Sequence, residues 1–238
     1  MIIDAHILSW NEEMILPYTL DHYSKFCRKI YVHDNMSMDS SDSIYKMYPK
    51  VVVRKWHSND EINELNYVKI KSDSYRKYSR DCDWVIVCDC DEFLYHPDLL
   101  TKLSEYKKAG VNVPRISGHD MVSESFPTYK GEKLTDLVKT GSKLYETMSK
   151  NIIFDPKLDV TYGIGGHSLQ ADNMVKSEDR DLKLLHYKFL GFDYVERIYR
   201  SRAERLSFFN KVNKFGEHYF NVPLEYMRTM LKEDYQVI

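Results

Sequence analysis

The stretch Asp83-Trp84-Val85-Ile86-Val87-Cys88-Asp89-Cys90-Asp91-Glu92-Phe93-Leu94 constrains this chain more than any other. Its apolar run, Trp84 to Cys88, stops abruptly at three acids within four positions. An apolar run of this length between charges reads as a strand buried on both faces, as in a parallel sheet. In open α/β sheets the crevice beyond the carboxyl ends of the strands is where ligands bind. Asp89 and Asp91 are therefore expected at the mouth of a cleft. Alternate residues on a strand share a face, so both carboxylates can turn toward one cation and Cys90 away from it. A divalent ion held by one or two carboxylates plus substrate phosphates is the usual construction of a Mg²⁺-type site. A surface turn with scattered acids is the plain alternative.

The preceding segments alternate strand and helix. Ile2–Ser9 reads as a first strand, Lys29–His33 as a second and Val51–Arg54 as a third. Between and after them come helical patterns over 11–26, 43–48 and 62–78, and the alternation argues for a parallel sheet wound with helices. The first helix starts either at Asn11-Glu12-Glu13, with acids in its first turn, or near Pro17, since proline is accepted there. On residue chemistry alone, Asn11 and Glu12 are helix caps. The run Asp34-Asn35-Met36-Ser37 is a strand–turn–helix connection of Asx and Ser residues. On the long third helix, Lys71 and Asn66 are the candidates to face a diphosphate, and its other charges suit a solvated face.

After the acidic strand, His96-Pro97-Asp98 opens a helix ending near Gly110, and Val111–Ile116 resumes an extended path. Gly118-His119-Asp120-Met121 follows. Residues 123–149 read as a loop-rich excursion of the length that often forms a lid, and Ser149–Phe154 as another strand. In Gly163-Ile164-Gly165-Gly166-His167 the glycines permit close backbone approach to a ligand, with His167 beside them. Leu182–Leu185 reads as a short strand ending at His186-Tyr187-Lys188. From Phe192 the spacing turns helical, basic and aromatic. This end either contacts an anionic membrane or charged glycan peripherally, or simply packs amphipathic helices on the sheet.

Composition narrows the class. At 238 residues and 43% hydrophobic the chain suits one globular unit. A formal net charge of −2 gives no electrostatic case for nucleic acid. No signal peptide is visible, and no apolar run approaches the roughly 18 residues a membrane span needs. Cys27, Cys82, Cys88 and Cys90 show no CxxC spacing. Free buried thiols in a reducing cytoplasm are expected rather than disulfides, and ligation of a soft metal by Cys88 and Cys90 is the minor alternative.

Asp89-Cys90-Asp91-Glu92-Phe93-Leu94 at the end of an apolar strand resembles the metal-binding motif of nucleotide-sugar-dependent glycosyltransferases of the GT-A fold, near family 2. Ser9-Trp10-Asn11-Glu12-Glu13, His33-Asp34-Asn35-Met36-Ser37 and Leu185-His186-Tyr187 resemble the same group in the same order, as does Lys150 before apolar residues and Pro156. The resemblance covers roughly residues 1–190. It implies a Rossmann-like, mostly parallel sheet with a nucleotide-binding half over 1–95, an acceptor-side half over 96–190, and a helical segment over 191–238 packed on them. It implies Mn²⁺ or Mg²⁺ held by Asp89, Asp91 and His186. It also implies a donor, expected to be a UDP-sugar, contacted by Trp10, Asn11, Glu12, Asp34, Asn35, Lys71 and Asp89. The acceptor is a hydroxyl on a glycan, lipid-linked or protein-linked molecule. If transfer inverts, as expected, a base must take the acceptor proton. Asp120 is the candidate, with Glu124 and His167 as alternates. A sugar-nucleotide nucleotidyltransferase and a non-catalytic binding module are the rivals; the first normally carries a glycine-rich basic loop after strand one, where this chain has Trp10-Asn11-Glu12-Glu13. A glycosidase needs its carboxylates about 5–10 Å apart across a sugar, and two acids at one strand end suit a cation better.

Overall fold

The computed structural model describes residues 1–238. The first seven elements alternate: β1 (Ile3–Ser9), α1 (Leu16–Ser24), β2 (Lys29–Asp34), α2 (Ser41–Tyr45), β3 (Val51–Lys55), α3 (Glu64–Tyr78) and β4 (Trp84–Asp89). Next come β5 (Glu92–Tyr95), α4 (Leu99–Lys108), β6 (Ile116–Ser123), α5 (Leu134–Leu137), the two-residue strands β7 (Ile153–Phe154), β8 (Thr161–Tyr162) and β9 (Leu169–Gln170), and then β10 (Leu182–Leu190). α6 (Phe192–Glu204), α7 (Phe208–Val212) and α8 (Leu224–Glu233) complete the chain.

The main sheet has the order β3-β2-β1-β4-β7, its first four strands parallel and β7 antiparallel. This is the mostly parallel α/β sheet, flanked by helices, that the alternation implied. The chain after β4 departs from that simple picture. Only Cys90 and Asp91 separate β4 from β5, too few residues for the crossover a parallel neighbour requires. β5 therefore turns into a second sheet of order β5-β10-β6, in which β10 is antiparallel to β5 and parallel to β6.

β1 and β4 are central and almost wholly buried, and the side chains of β4 serve two cores. Ile3, Ala5, Ile7, Ile86 and Cys88 pack with Leu16, Leu20 and Tyr23 of α1. Val85 and Val87 pack on the other face with Tyr75 of α3, Phe154 and Tyr162. Each aliphatic side chain so buried contributes about 1.5–3 kcal/mol. A third cluster, with Val122 and Phe189 from the second sheet and Val195, Tyr199, Met227 and Met230 from the C-terminal helices, fastens residues 192–238 to β6 and β10.

Local chemistry sets the helix starts. α1 begins at Leu16 with Pro17 in its first turn, not at Asn11. Asn11 has a left-handed φ of 50°; its N–H donates to Ser37 Oγ at 2.9 Å and its Oδ1 accepts from the Met38 N–H at 2.7 Å. Asn63 caps α3 and Asp98 caps α4 through side-chain oxygens. His186 also differs from expectation. It lies inside β10, which continues to Leu190 with a register irregularity between His186 and Phe189.

Candidate active site

A cleft of about 770 Å³ opens where the carboxyl ends of β1 and β4 meet the second sheet and the C-terminal helices. Trp10 and Glu12 enter it from the loop after β1, Lys71 from α3, Asp89 and Asp91 from the end of β4, and Asp120 and His186 from β6 and β10. His167 and the left-handed Gly165 and Gly166 line it too. A side chain at position 166 would meet the Lys71 ammonium at 3.2 Å, so glycine there lets the loop close over that lysine.

The two aspartates do not turn to one point. Asp89 Oδ2 accepts from Lys71 Nζ at 2.9 Å, and the Lys71 ammonium is nearly inaccessible to solvent. Asp91 faces His186 instead, with Oδ2 3.5 Å from Nε2. Cys90 does point away, its thiol donating to the Leu8 carbonyl. Glu92, unassigned by sequence reasoning, holds the turn from beneath. One of its oxygens accepts from the Asp89 N–H at 3.0 Å and the other from Lys150 Nζ at 2.5 Å. Burial alone would raise the Glu92 carboxyl, but Lys150 and Lys71 bring it down to about 2.

His186 bridges two carboxylates, its Nδ1 lying 2.8 Å from Asp120 Oδ1 and its Nε2 near Asp91. Asp120 and His186 are directly opposite each other in the β6–β10 register. Burial disfavours a charged imidazole, yet Asp91 and Asp120 together raise His186 to about 9. Reciprocally, burial would raise Asp91, while the His186 cation holds it far below the usual carboxylate range. The second oxygen of Asp120 meets only the Tyr226 hydroxyl, at 3.3 Å.

For a divalent cation this donor set offers only part of a shell. No three His, Cys, Asp or Glu side chains converge to hold a metal ion, because Asp89 is taken by Lys71. Asp91 and His186 do fit as two adjacent ligands, with phosphate oxygens and water left to complete the shell. A proton would leave His186 Nε2 on metal binding. The Nδ1–Asp120 contact would then orient the ring, as carboxylates do behind ligating histidines.

The C-terminal segment supplies groups that sequence reasoning missed. The Arg205 guanidinium lies over the Trp10 indole, 3.1 Å from its centroid. The strap carrying Arg205 is tied to the loop before α3, since the Ile62 N–H donates to the Arg205 carbonyl and the Ser207 N–H to the Ile62 carbonyl. Arg202 reaches Glu12 at 3.5 Å. Burial pushes the Glu12 carboxyl up to about 8 despite that arginine. Lys188, Tyr199, His218 and Tyr219 line the same wall. The only advance signal for these residues was the basic, aromatic character of the C-terminal end.

Five candidates stand outside the cleft, among them Asn66 of α3, which does not line it. Asp34 is fully buried, accepting from the Ser37 N–H, the Tyr45 hydroxyl and Lys55. Asn35 is spent on Ser58, and Asn11 clamps the Ser37–Met38 turn. Glu124 is exposed beyond the end of β6.

No protein-family model and no curated protein matches the sequence. Among solved structures, residues 1–349 of S. aureus TarS in complex with UDP superpose with a TM-score of 0.51 and 14% identity, over 96% of this chain and 73% of that one. The fold is shared. The S. aureus TarS structure of greater length matches at a TM-score of 0.48 and 14% identity, and this chain covers 38% of it. This chain thus spans well under half of that protein. Glucosyl-3-phosphoglycerate synthase from Mycobacterium tuberculosis, in complex with Mn²⁺, UDP and glucosyl-3-phosphoglycerate, aligns over 49% of this chain and 44% of its own, at 20% identity and a TM-score of 0.33. The architecture of this chain, a mostly parallel sheet with helices on both faces, is accordingly GT-A-like.

Proposed function

We propose that this chain transfers a sugar from a nucleotide diphosphate, a UDP-sugar, to a hydroxyl group of a glycan, lipid-linked or protein-linked acceptor, with inversion at the anomeric carbon. One observation carries the reading: Asp91, His186 and Asp120 stand in a contiguous row in a cleft at the carboxyl ends of the sheet strands. The UDP bound by the TarS structure of like fold supports the choice of donor.

Asp91 and His186 would hold Mn²⁺ or Mg²⁺, which when bound acts as a Lewis acid toward the departing diphosphate. The remaining work falls to side chains. Lys71 and Asp89 form a fixed pair at the donor side, positioned for the diphosphate and the ribose hydroxyls respectively. Trp10, under Arg205, offers a flat face for the base. Asp120, anchored through one oxygen, takes the proton of the acceptor hydroxyl on the other. The acceptor oxygen then bonds to the anomeric carbon as the bond from that carbon to the diphosphate oxygen breaks, and the electron pair leaves with the nucleoside diphosphate.

The test is calorimetry with UDP, with and without Mn²⁺, followed by a hydrolysis screen over nucleotide sugars. Metal-tightened UDP binding with slow release of free sugar from one donor is expected. UDP binding without turnover of any donor would favour a non-catalytic module, and nucleotide-sugar synthesis from a sugar phosphate and UTP would favour a nucleotidyltransferase.

A second reading of Asp120 has its own support in the His186 hydrogen bond: it orients the ring and is not the base. Asp120→Asn separates the two. A lost base lowers kcat by roughly 10²–10⁴-fold at unchanged metal affinity. A lost orienting partner weakens metal binding by about 10–100-fold.

A further inference from the structure

The cations of the cleft divide into two kinds. Lys71 is paired with Asp89 at 2.9 Å, Lys150 with Glu92 at 2.5 Å and Arg205 with Asp60 at 3.2 Å. Lys188 lines the same cleft and makes neither a hydrogen bond nor an ion pair. It is ringed by aromatic faces, its ammonium 5.8 Å from the Phe189 ring, 5.1 Å from Tyr199 and 5.5 Å from Tyr219. The Tyr219 ring also carries the Arg202 guanidinium at 5.6 Å and the His218 ring at 4.1 Å. The one acid within ion-pair distance of Arg202 is Glu12, at 3.5 Å, longer than a good charged hydrogen bond. Two cationic side chains, Lys188 and Arg202, thus gather on one tyrosine ring with the His218 ring beside them, and Lys188 has no anion within ion-pair distance. A charge set among aromatic faces is normally paired, and an anion carried into the cleft by a ligand would pair with Lys188.

We infer that Lys188, with Arg202 and His218, forms a subsite for an oxyanion, a phosphate or carboxylate, borne by the acceptor. The acceptor assignment rests on the glycosyl-transfer reading and on place in the fold. Lys188 lies beyond the paired residues His186 and Asp120 along β10, on the side toward the C-terminal helices. Its ring partners, Phe189, Tyr199 and Tyr219, all follow it in sequence. The free oxygen of Asp120 faces Tyr226 on this same wall, whereas Asp89 and Lys71 stand on the donor wall. An anion here therefore arrives with the attacking hydroxyl and not with the leaving diphosphate. Lysine suits that task as a point charge that accepts either oxyanion.

The experiment is calorimetry of inorganic phosphate, and separately of acetate, into protein saturated with UDP and Mg²⁺, for wild type, Lys188→Gln and Lys188→Arg. At least one anion is expected to bind wild type, more than 10-fold more weakly to Lys188→Gln and near normally to Lys188→Arg, with UDP affinity within about 2-fold throughout. Binding of phosphate alone assigns a phosphorylated acceptor; binding of acetate alone assigns a carboxylated one. The inference is overturned if neither anion binds the UDP-saturated wild type, or if Lys188→Gln weakens UDP as much as it weakens the anion. Should wild type bind no UDP at all, glycosyl transfer fails as a reading. The same titrations without nucleotide then decide the subsite, which stands if anion binding depends on Lys188 and falls if it does not.

Discussion

The two walls of the cleft are built by different rules. The wall at the ends of β1 and β4 consists of short loops leaving buried parallel strands, and its charges are mutually satisfied: Lys71 with Asp89, Lys150 with Glu92. The wall made by β10 and residues 192–238 is carried on helices and leaves Lys188 without an anion. The first wall is organised before any ligand arrives. On the proposed reading, the second is completed by one. This contrast fits a donor site whose geometry is set by the sheet and an acceptor site whose chemistry is set by an appended segment.

The largest effect expected on the donor wall is on catalysis. Asp91→Asn keeps the size of the side chain but removes its charge, and with it one of the two carboxylate partners of His186. Metal-supported charge stabilisation is worth several kcal/mol, so kcat/KM should fall by roughly 10³-fold or more while the melting temperature moves little. A variant that transfers sugar at the wild-type rate in the presence of chelator would end the donor-wall account.

Next in size is the pair beneath the motif. Lys150→Met leaves Glu92 as a buried carboxylate without its cation, a change that costs about 3–5 kcal/mol in comparable pairs. Urea denaturation should show the loss. The double variant Lys150→Met, Glu92→Gln should recover part of it, since the stranded charge is then gone. A single variant as stable as wild type would show that the pair does not hold the turn.

These two walls also differ in how far the sequence discloses them. The strand–helix alternation and the apolar run ending at Asp89 disclose the main sheet and the edge of the cleft, because a parallel sheet needs continuous hydrophobic strands and leaves its polar residues at their ends. The partner of each acid was not legible. Asp89 and Asp91 share a motif, but Lys71 lies 18 residues before the first of them and His186 lies 95 after the second, so their pairing is decided by tertiary packing. Asp34 misled for a related reason. An aspartate at a strand end suits a ribose or a turn equally, and here it is consumed by Ser37, Tyr45 and Lys55. Lys188, Arg202 and Arg205 belong to a basic, helical end whose spacing suits a solvated face. Only the packing of α6 and α8 on β6 and β10 turns that end into a wall.

The smallest effect concerns a buried polar row in the main sheet that runs from Asp4 and His6 of β1 to His33 of β2. Arg28 donates to Asp4, and the Ser79 hydroxyl donates to the same carboxylate at 2.9 Å. His6 Nε2 lies 2.8 Å from Ser79 Oγ, and His6 Nδ1 lies 3.1 Å from His33 Nε2. One assignment satisfies the whole row: His6 donates from Nε2 to Ser79 and accepts at Nδ1 from His33, both rings neutral. A proton on His6 Nδ1 would set two N–H groups against each other. Burial, with Arg54 adding repulsion, lowers His33 to about 4, and burial with His33 lowers His6 well below its usual value. In the unfolded chain these rings protonate near 6.5. Between pH 6.5 and 4 the unfolded state therefore binds more protons, so stability is complete above that window and falls as the pH drops through it. For His33 alone the loss at pH 4 is about 3 kcal/mol. His22, lowered to about 4 mainly by burial, adds to the total in wild type. His33→Gln keeps an N–H for His6 and cannot titrate. Its stability at pH 7 should stay within about 1 kcal/mol of wild type, while its loss between pH 7 and pH 4 in urea titrations should be smaller by the His33 share. Equal acid losses in the two proteins would mean that this row carries no proton-linked stability, and that the protein's acid sensitivity arises elsewhere.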